Sequence, residues 1–307
     1  MENFSIYRNM KVGIVHFKAF PEVVRGEGPY IETLRKLVED EFWTAIEVGM
    51  VGDVKVRNEA RKLLEVSHME VCYATQPKVL SNKLNINSFD KKERAKAVSS
   101  VKSAIDEAYD LGASWVRLLS GKDPGEEDRE EAKKILVDSL SEIIDYANEQ
   151  GKLGFTLKIF DRDIDKCALI GHFKDAADVA EKLCSRFDNF GLLSDLSHFP
   201  LLREDPKDAI KHVEKYPLHF HIGNCVMRDR RNPMYGDLQP RFGVPGGETD
   251  TEQVRDYFQL LKDRDLIGPE KKPVVSAEVR PLLAEEYSEA IIANAKRVIQ
   301  QAWADVN

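Results

Sequence analysis

The chain has 307 residues, 42% hydrophobic and 32% charged, with a formal net charge of -8. This is the composition of an ordinary folded protein with ample length for a large core. An acidic balance argues against a nucleic-acid partner, which calls for a basic face, and no apolar run approaches the roughly 20 residues of a membrane span.

Four scattered cysteines (Cys72, Cys167, Cys184, Cys225) contain no CxxC pair, which fits reduced thiols better than a disulfide framework. The opening "MENFSIYRNM" lacks the apolar core of a signal peptide. A cytoplasmic location is therefore expected.

In chain order, short apolar segments predict strands over Lys11–Phe17, Ala45–Gly49, Glu70–Ala74, Trp115–Leu119, Phe155–Phe160, Gly191–Asp195, His219–Ile222 and Val274–Glu278. Amphipathic helices separate them. Asp90-Lys-Lys-Glu93 and Asp250-Thr-Glu-Gln253 read as capping boxes. Asp205-Pro206 reads as a cap followed by a first-turn proline. Gly112 and Gly151 read as helix stops. Eight alternating units over this length predict one domain, residues 1–307, folded as an α/β (β/α)8 TIM barrel. An open doubly wound sheet is the alternative, but it usually carries a glycine-rich turn after the first strand. Here that turn reads "HFKAFPEVV".

Two connections exceed ordinary barrel loops. One is "LSGKDPGEEDREE" after the fourth strand. The other is "NCVMRDRRNPMYGDLQPRFGVPGGETD" after the seventh. Both belong to the C-terminal face, where barrel active sites are assembled.

The ionisable residues at strand ends carry the chemistry. Asp195 and His198 follow strand six, His219 and His221 alternate along strand seven, and Glu278 ends strand eight. Taken singly, each is more often a hydrogen-bonding loop residue. Three adjacent strand ends with oxygen and imidazole donors point to one shared polar site, of a kind that suits Mn²⁺, Mg²⁺, Co²⁺ or Zn²⁺. In the neighbouring "FTLKIFDRDID", however, a strand flanked by apolar residues carries Lys158.

From Phe155 to Pro281 these motifs resemble the xylose-isomerase-like barrels, which include sugar-phosphate isomerases and epimerases, ketose 3-epimerases, hydroxypyruvate isomerases and inosose dehydratases. The resemblance implies a divalent metal held by a Glu on strand five and by Asp195, His221 and Glu278. It places His198, in Asp195-Leu-Ser-His198, on substrate oxygens. Arg241 in "RFGVPG" matches a substrate-holding arginine, although an extra residue intervenes there. Asp161 and Arg162 match an Asn/Asp-Arg pair, which puts Lys158 where the first metal Glu belongs.

The family moves a proton between adjacent carbons through an enediolate, with glutamates of strands five and eight as acid and base. Lys158 removes one of those glutamates and one ligand. Two unit positive charges about 4 Å apart repel by roughly 4 kcal/mol at an effective dielectric near 20, and a dication doubles that.

Three readings follow. The ammonium replaces the metal, with Lys158 and Glu278 catalytic. Lys158 swings aside and a three-ligand metal site survives. Or the barrel binds a sugar without turning it over. The expected activity is that of an isomerase or epimerase of a small carbohydrate, with or without phosphate. A dehydratase of a cyclic polyol fits the same frame. Arg228, Arg230, Arg231 and Arg241 in the long loop are candidate phosphate contacts. The resemblance also implies pairing into a homo-oligomer.

Overall fold

In a computed structural model, which describes residues 5–307, eight parallel strands close on themselves in sequence order. They are β1 Lys11–Val15, β2 Ala45–Val48, β3 Glu70–Ala74, β4 Trp115–Leu118, β5 Gly154–Lys158, β6 Phe190–Asp195, β7 Leu218–Gly223 and β8 Val274–Glu278. β8 pairs with β1, Val12 opposite Val275, so the sheet has no free edge. The expected (β/α)8 barrel is therefore the fold. The first four residues of the N-terminal decamer lie outside the described residues.

The strands are short and rich in Val, Ile and Leu because a barrel strand is buried on both faces, against the interior and against the helical ring. The longest helices, Lys91–Asp110, Arg129–Asn148 and Ser288–Ala304, pack apolar stripes onto this cylinder. Among the described residues, no helix is long and apolar enough to cross a membrane.

Caps set where helices begin. Asp205 accepts from the amides of Lys207 and Asp208 ahead of the helix Pro206–Val213. Asp250 and Gln253 form the reciprocal box at Thr251–Asp263. At Asp90 the box is one-sided. Its carboxylate caps Lys92 and Glu93, but the Glu93 side chain takes the Ser88 hydroxyl instead of reaching back. Gly112 adopts φ +72°, as a glycine stop should, whereas Gly151 is not in the left-handed region.

Two strands end two residues short of expectation, and the other bounds agree within one residue. β1 stops at Val15, because His16–Ala19 turns at once into a short helix. There the His16 ring is buried on the Thr33 hydroxyl at 2.9 Å and edge-on to Tyr30. β5 begins one residue early and ends at Lys158 rather than continuing to Phe160. Lys158 is consequently the last residue of its strand, directed to the C-terminal end of the barrel where the sites of such folds lie.

Candidate active site

Six strands deliver ionisable groups to the barrel interior. Lys158 closes β5, Asp195 closes β6, His221 lies in β7 and Glu278 closes β8. Register holds them together: Asp195 pairs with His221, and Gly223 with Glu278. Glu47 of β2 and Arg117 of β4 join from the other side of the barrel. All six side chains are buried.

The Lys158 ammonium lies 2.6 Å from Glu278 Oε2, 2.8 Å from Asp195 Oδ2 and 3.3 Å from His221 Nδ1. The contact with Asp195 is an ion pair outside hydrogen-bond geometry, and Oδ2 accepts no hydrogen bond among the described residues. Asp195 spends its second oxygen, Oδ1, on the Ser197 amide and hydroxyl. Burial disfavours the ammonium, but Asp195, Glu278 and Asp237 together outweigh it and hold Lys158 well above the ordinary lysine value. Lys158 is a cation here, not a nucleophilic amine.

His221 is clamped on both ring nitrogens: Nδ1 lies 2.6 Å from Glu278 Oε2 and Nε2 lies 2.9 Å from Glu47 Oε1. Burial opposes its protonation, yet Glu47 and Glu278 raise its pKa overall. An imidazolium donating to both carboxylates satisfies this geometry. Glu278 is crowded by cations, with Lys18 at 2.9 Å from Oε1 in addition to Lys158 and His221. They overcome its burial and hold it well below the carboxylate range. Glu47 is likewise held low, chiefly by His221 against its burial.

The charged set continues down the barrel axis. Glu47 Oε1 also accepts from His219 Nε2 at 2.7 Å, and Arg117 donates to His219 Nδ1. Arg117 further reaches Thr156 Oγ1 at 3.2 Å and Cys72 Sγ at 2.8 Å. Burial first, and then the guanidinium, lower His219 to about 3. It stays neutral with its proton on Nε2.

A cavity of about 200 Å³ opens above this set, with Lys158, His221, Glu278 and Glu47 in its lining. Lys18, Lys166 and Arg280 also line it, and Phe17, Pro77, Leu80 and Phe160 supply apolar wall.

The remaining candidates from sequence lie elsewhere. His198 is fully buried, with Phe160 edge-on, and does not line the cavity; its Nε2 is 3.7 Å from Asp195 and 3.6 Å from Asp237. Asp161 ties the loop after β5 by accepting from the amides of Ile164, Asp165 and Lys166. Arg162 turns outward to Asp175 at 2.7 Å and to the Leu169 carbonyl. Arg241 pairs with Glu286 at 3.1 Å. Asp161, Arg162 and Arg241 are thus engaged in holding loops and are not brought to the cavity. The arginines of the long loop are no nearer: Arg228 faces Glu248, Arg231 faces Asp229, and neither they nor Arg230 lines the cavity.

Sequence reasoning missed Glu47, Arg117, Lys18, Lys166 and Asp237. The first two carried the signal that exposed Lys158, an ionisable residue inside a four- or five-residue apolar strand.

The residue profile of the xylose isomerase-like TIM barrel family matches positions 35–271. The chain belongs to that family. In sequence it matches no curated protein. In structure it resembles the IolI protein with a bound zinc atom, at TM-score 0.72 and 18% identity, covering 97% of this chain and 99% of that one. It also resembles a D-tagatose 3-epimerase-like protein, at 0.69 and 16%, covering 95% and 98%. A third similar structure is the 3-keto-D-glucoside 4-epimerase of E. coli, at 0.64 and 14%, covering 95% and 99%. At these identities the likeness is one of fold.

Zinc in one such structure makes the fit of a metal here a direct question. Two sets of donors stand close enough together: Asp195, His221 and Glu278, and Glu47, His219 and His221. In the first set, the three nearest donor atoms are the ones that surround the Lys158 ammonium. A metal ligand must also offer a free lone pair, and both nitrogens of His221 are engaged with carboxylates. In the second set, Arg117 stands against His219 and 3.8 Å from Glu47 Oε2. As arranged, neither set fits a dication.

Proposed function

We propose that this protein is an isomerase or epimerase of a small carbohydrate in which the Lys158 ammonium stands in for the divalent cation. The observation that carries this reading is the position of Nζ, within 3.3 Å of one donor atom each from Asp195, His221 and Glu278. An ammonium delivers one positive charge through directed N–H donors, so it stabilises an oxyanion by the same electrostatics with less charge.

In this scheme the carbonyl oxygen of the substrate is drawn toward Lys158. Glu278 is the carboxylate that receives a proton from the adjacent carbon. The C–H electron pair forms the carbon–carbon double bond as the carbonyl π electrons move to oxygen, and the resulting enediolate faces the ammonium. Return of the proton to the former carbonyl carbon, with the hydroxyl proton of the adjacent carbon passing to the former carbonyl oxygen as the new carbonyl forms, gives isomerisation. Return on the opposite face of the original carbon gives epimerisation and requires a second proton donor across the substrate from Glu278.

A second reading has its own observation. Glu278, pinned by Lys18, Lys158 and His221, has a low proton affinity and is a weak base. A barrel that binds its ligand without turning it over fits that charge arrangement.

Metal content decides the first part. Purified protein is equilibrated with Mn²⁺, Mg²⁺, Co²⁺ and Zn²⁺ in turn, desalted and analysed. The expected result is well under one ion per chain; close to one ion per chain would overturn the ammonium reading. Incorporation of solvent deuterium beside the carbonyl of ketopentoses and ketohexoses then separates turnover from binding alone.

A further inference from the structure

Beyond the ammonium at its floor, the cavity has a cationic wall. Lys18, Lys166 and Arg280 line it together with Lys158, against the two carboxylates Glu47 and Glu278. Those carboxylates are committed already: Glu278 to Lys18, Lys158 and His221, and Glu47 to His221 and His219. Lys166 balances Asp165 at 2.9 Å and Asp237 at 3.0 Å. Arg280 is different. It follows Glu278 by two residues, is exposed at the cavity, and its guanidinium has no hydrogen-bond or ion-pair partner among the described residues.

We propose that the substrate of this site carries an oxyanion group, phosphate or carboxylate, at the end remote from its carbonyl, and that Arg280 with Lys18 or Lys166 receives it. The idea rests on the small-carbohydrate reading above and narrows its substrate class. Water already solvates Arg280 as well as a hydroxyl does, so a neutral polyol gains little there. A phosphate or carboxylate gains a two-pronged guanidinium contact and a nearby ammonium, both charge-assisted. The molecule is then oriented, with its carbonyl at Lys158 and its anion at Arg280. The apolar wall of Phe17, Pro77, Leu80 and Phe160 faces the C–H groups between them. A cavity of about 200 Å³ suits a single short sugar chain and not an oligosaccharide.

The test is calorimetric titration of the intact chain with fructose 6-phosphate, gluconate, inorganic phosphate and fructose at fixed ionic strength, repeated on Arg280→Gln. Because Arg280 is exposed and unpaired, the variant is expected to fold with unchanged thermal stability. The expected result is that at least one organic anion binds tenfold or more tighter than fructose, and that Arg280→Gln removes most of that advantage while leaving fructose binding as it was. Preference for the phosphate ester over gluconate identifies a phosphosugar, and the reverse identifies a sugar acid. Equal binding of fructose and both organic anions overturns the proposal, as does an anion preference that survives Arg280→Gln. Binding is read without turnover and without metal, so this outcome is independent of the metal analysis. Bound metal with Arg280-dependent anion binding would sink the ammonium reading alone, and metal-free protein preferring fructose would sink this one alone.

Discussion

The Lys158 ammonium and the Glu278 carboxylate lie 2.6 Å apart with both side chains buried, so the charge of each depends on the other. Removing one member of a buried pair strands the other in a medium of low polarity and costs about 3–5 kcal/mol. Lys158→Met is therefore expected to lower stability by that amount, read as a shift of the urea midpoint at unchanged slope. Lys158→Met combined with Glu278→Gln removes the stranded charge as well and is expected to recover part of the loss. A single variant as stable as the parent would show that the pair is not formed in solution.

Lys158→Glu reverses the charge at the focus of the Asp195, His221 and Glu278 donors. It supplies a third carboxylate and removes the competing cation. Without metal this variant is expected to be strongly destabilised by like charges. With Zn²⁺ or Mn²⁺ it is expected to regain stability as the ion concentration rises, by about 2.7 kcal/mol at one hundred times Kd. The parent protein should show no such dependence. A Lys158→Glu chain whose thermal transition ignores both ions would argue that the site cannot be returned to metal by this one change.

Arg117 occupies the barrel interior below Glu47 and donates to the Nδ1 of His219. That donor helps keep His219 neutral, alongside burial itself. Arg117→Met is expected to destabilise the fold by about 3–5 kcal/mol, since Glu47 loses a buried cationic neighbour. It is also expected to raise the His219 pKa from about 3 toward the ordinary histidine value. Imidazole proton shifts followed by NMR through an acid titration provide the measurement. An unmoved His219 would mean that burial alone holds it neutral.

The barrel was legible because its rule is local. Each β/α unit announces itself by a short apolar run and a capped amphipathic helix, and closure follows from the number of units. The strand-end set Lys158, Asp195, His221 and Glu278 was legible for the same reason, since these residues interrupt or end an apolar run and alternate registers send them inward. Glu47 and Arg117 obeyed that rule too, but in β2 and β4, away from the motifs that drew attention. Asp237 and Lys166 lie in irregular loops, where sequence has no period and only tertiary closure brings their side chains within 3.0 Å. Arg241 shows the converse: its loop resembles a motif, yet Glu286 at 3.1 Å turns it aside. A motif fixes a residue's neighbourhood along the chain, and the charge that competes for it comes from a part of the chain the motif does not contain.

The buried histidines set the response of stability to pH. His16 and His219 are lowered to about 3 and His198 is lowered as well, in each case first by burial. Below about pH 6.5 the unfolded chain protonates these residues while the fold resists. Their contribution is therefore present above the unfolded value and is lost as pH falls toward the folded one. The two groups lowered to about 3 give a limiting slope of about 2.7 kcal/mol per pH unit, and His198 adds to it in the same direction. His221 has the opposite sign. Its folded pKa is raised, so its contribution is complete below about 6.5 and is lost as pH rises through the folded value, at no more than about 1.4 kcal/mol per unit. Glu47, Glu278 and Asp237, all lowered, contribute above the ordinary carboxylate range and lose that contribution only at more acid pH. The expected profile is lopsided, with a maximum near neutrality, a shallow alkaline side and a steep fall between pH 6.5 and 5. Urea unfolding at pH 8, 7, 6 and 5 measures it, and a midpoint that stays level from pH 7 to pH 5 would show that these imidazoles do not enter the fold neutral.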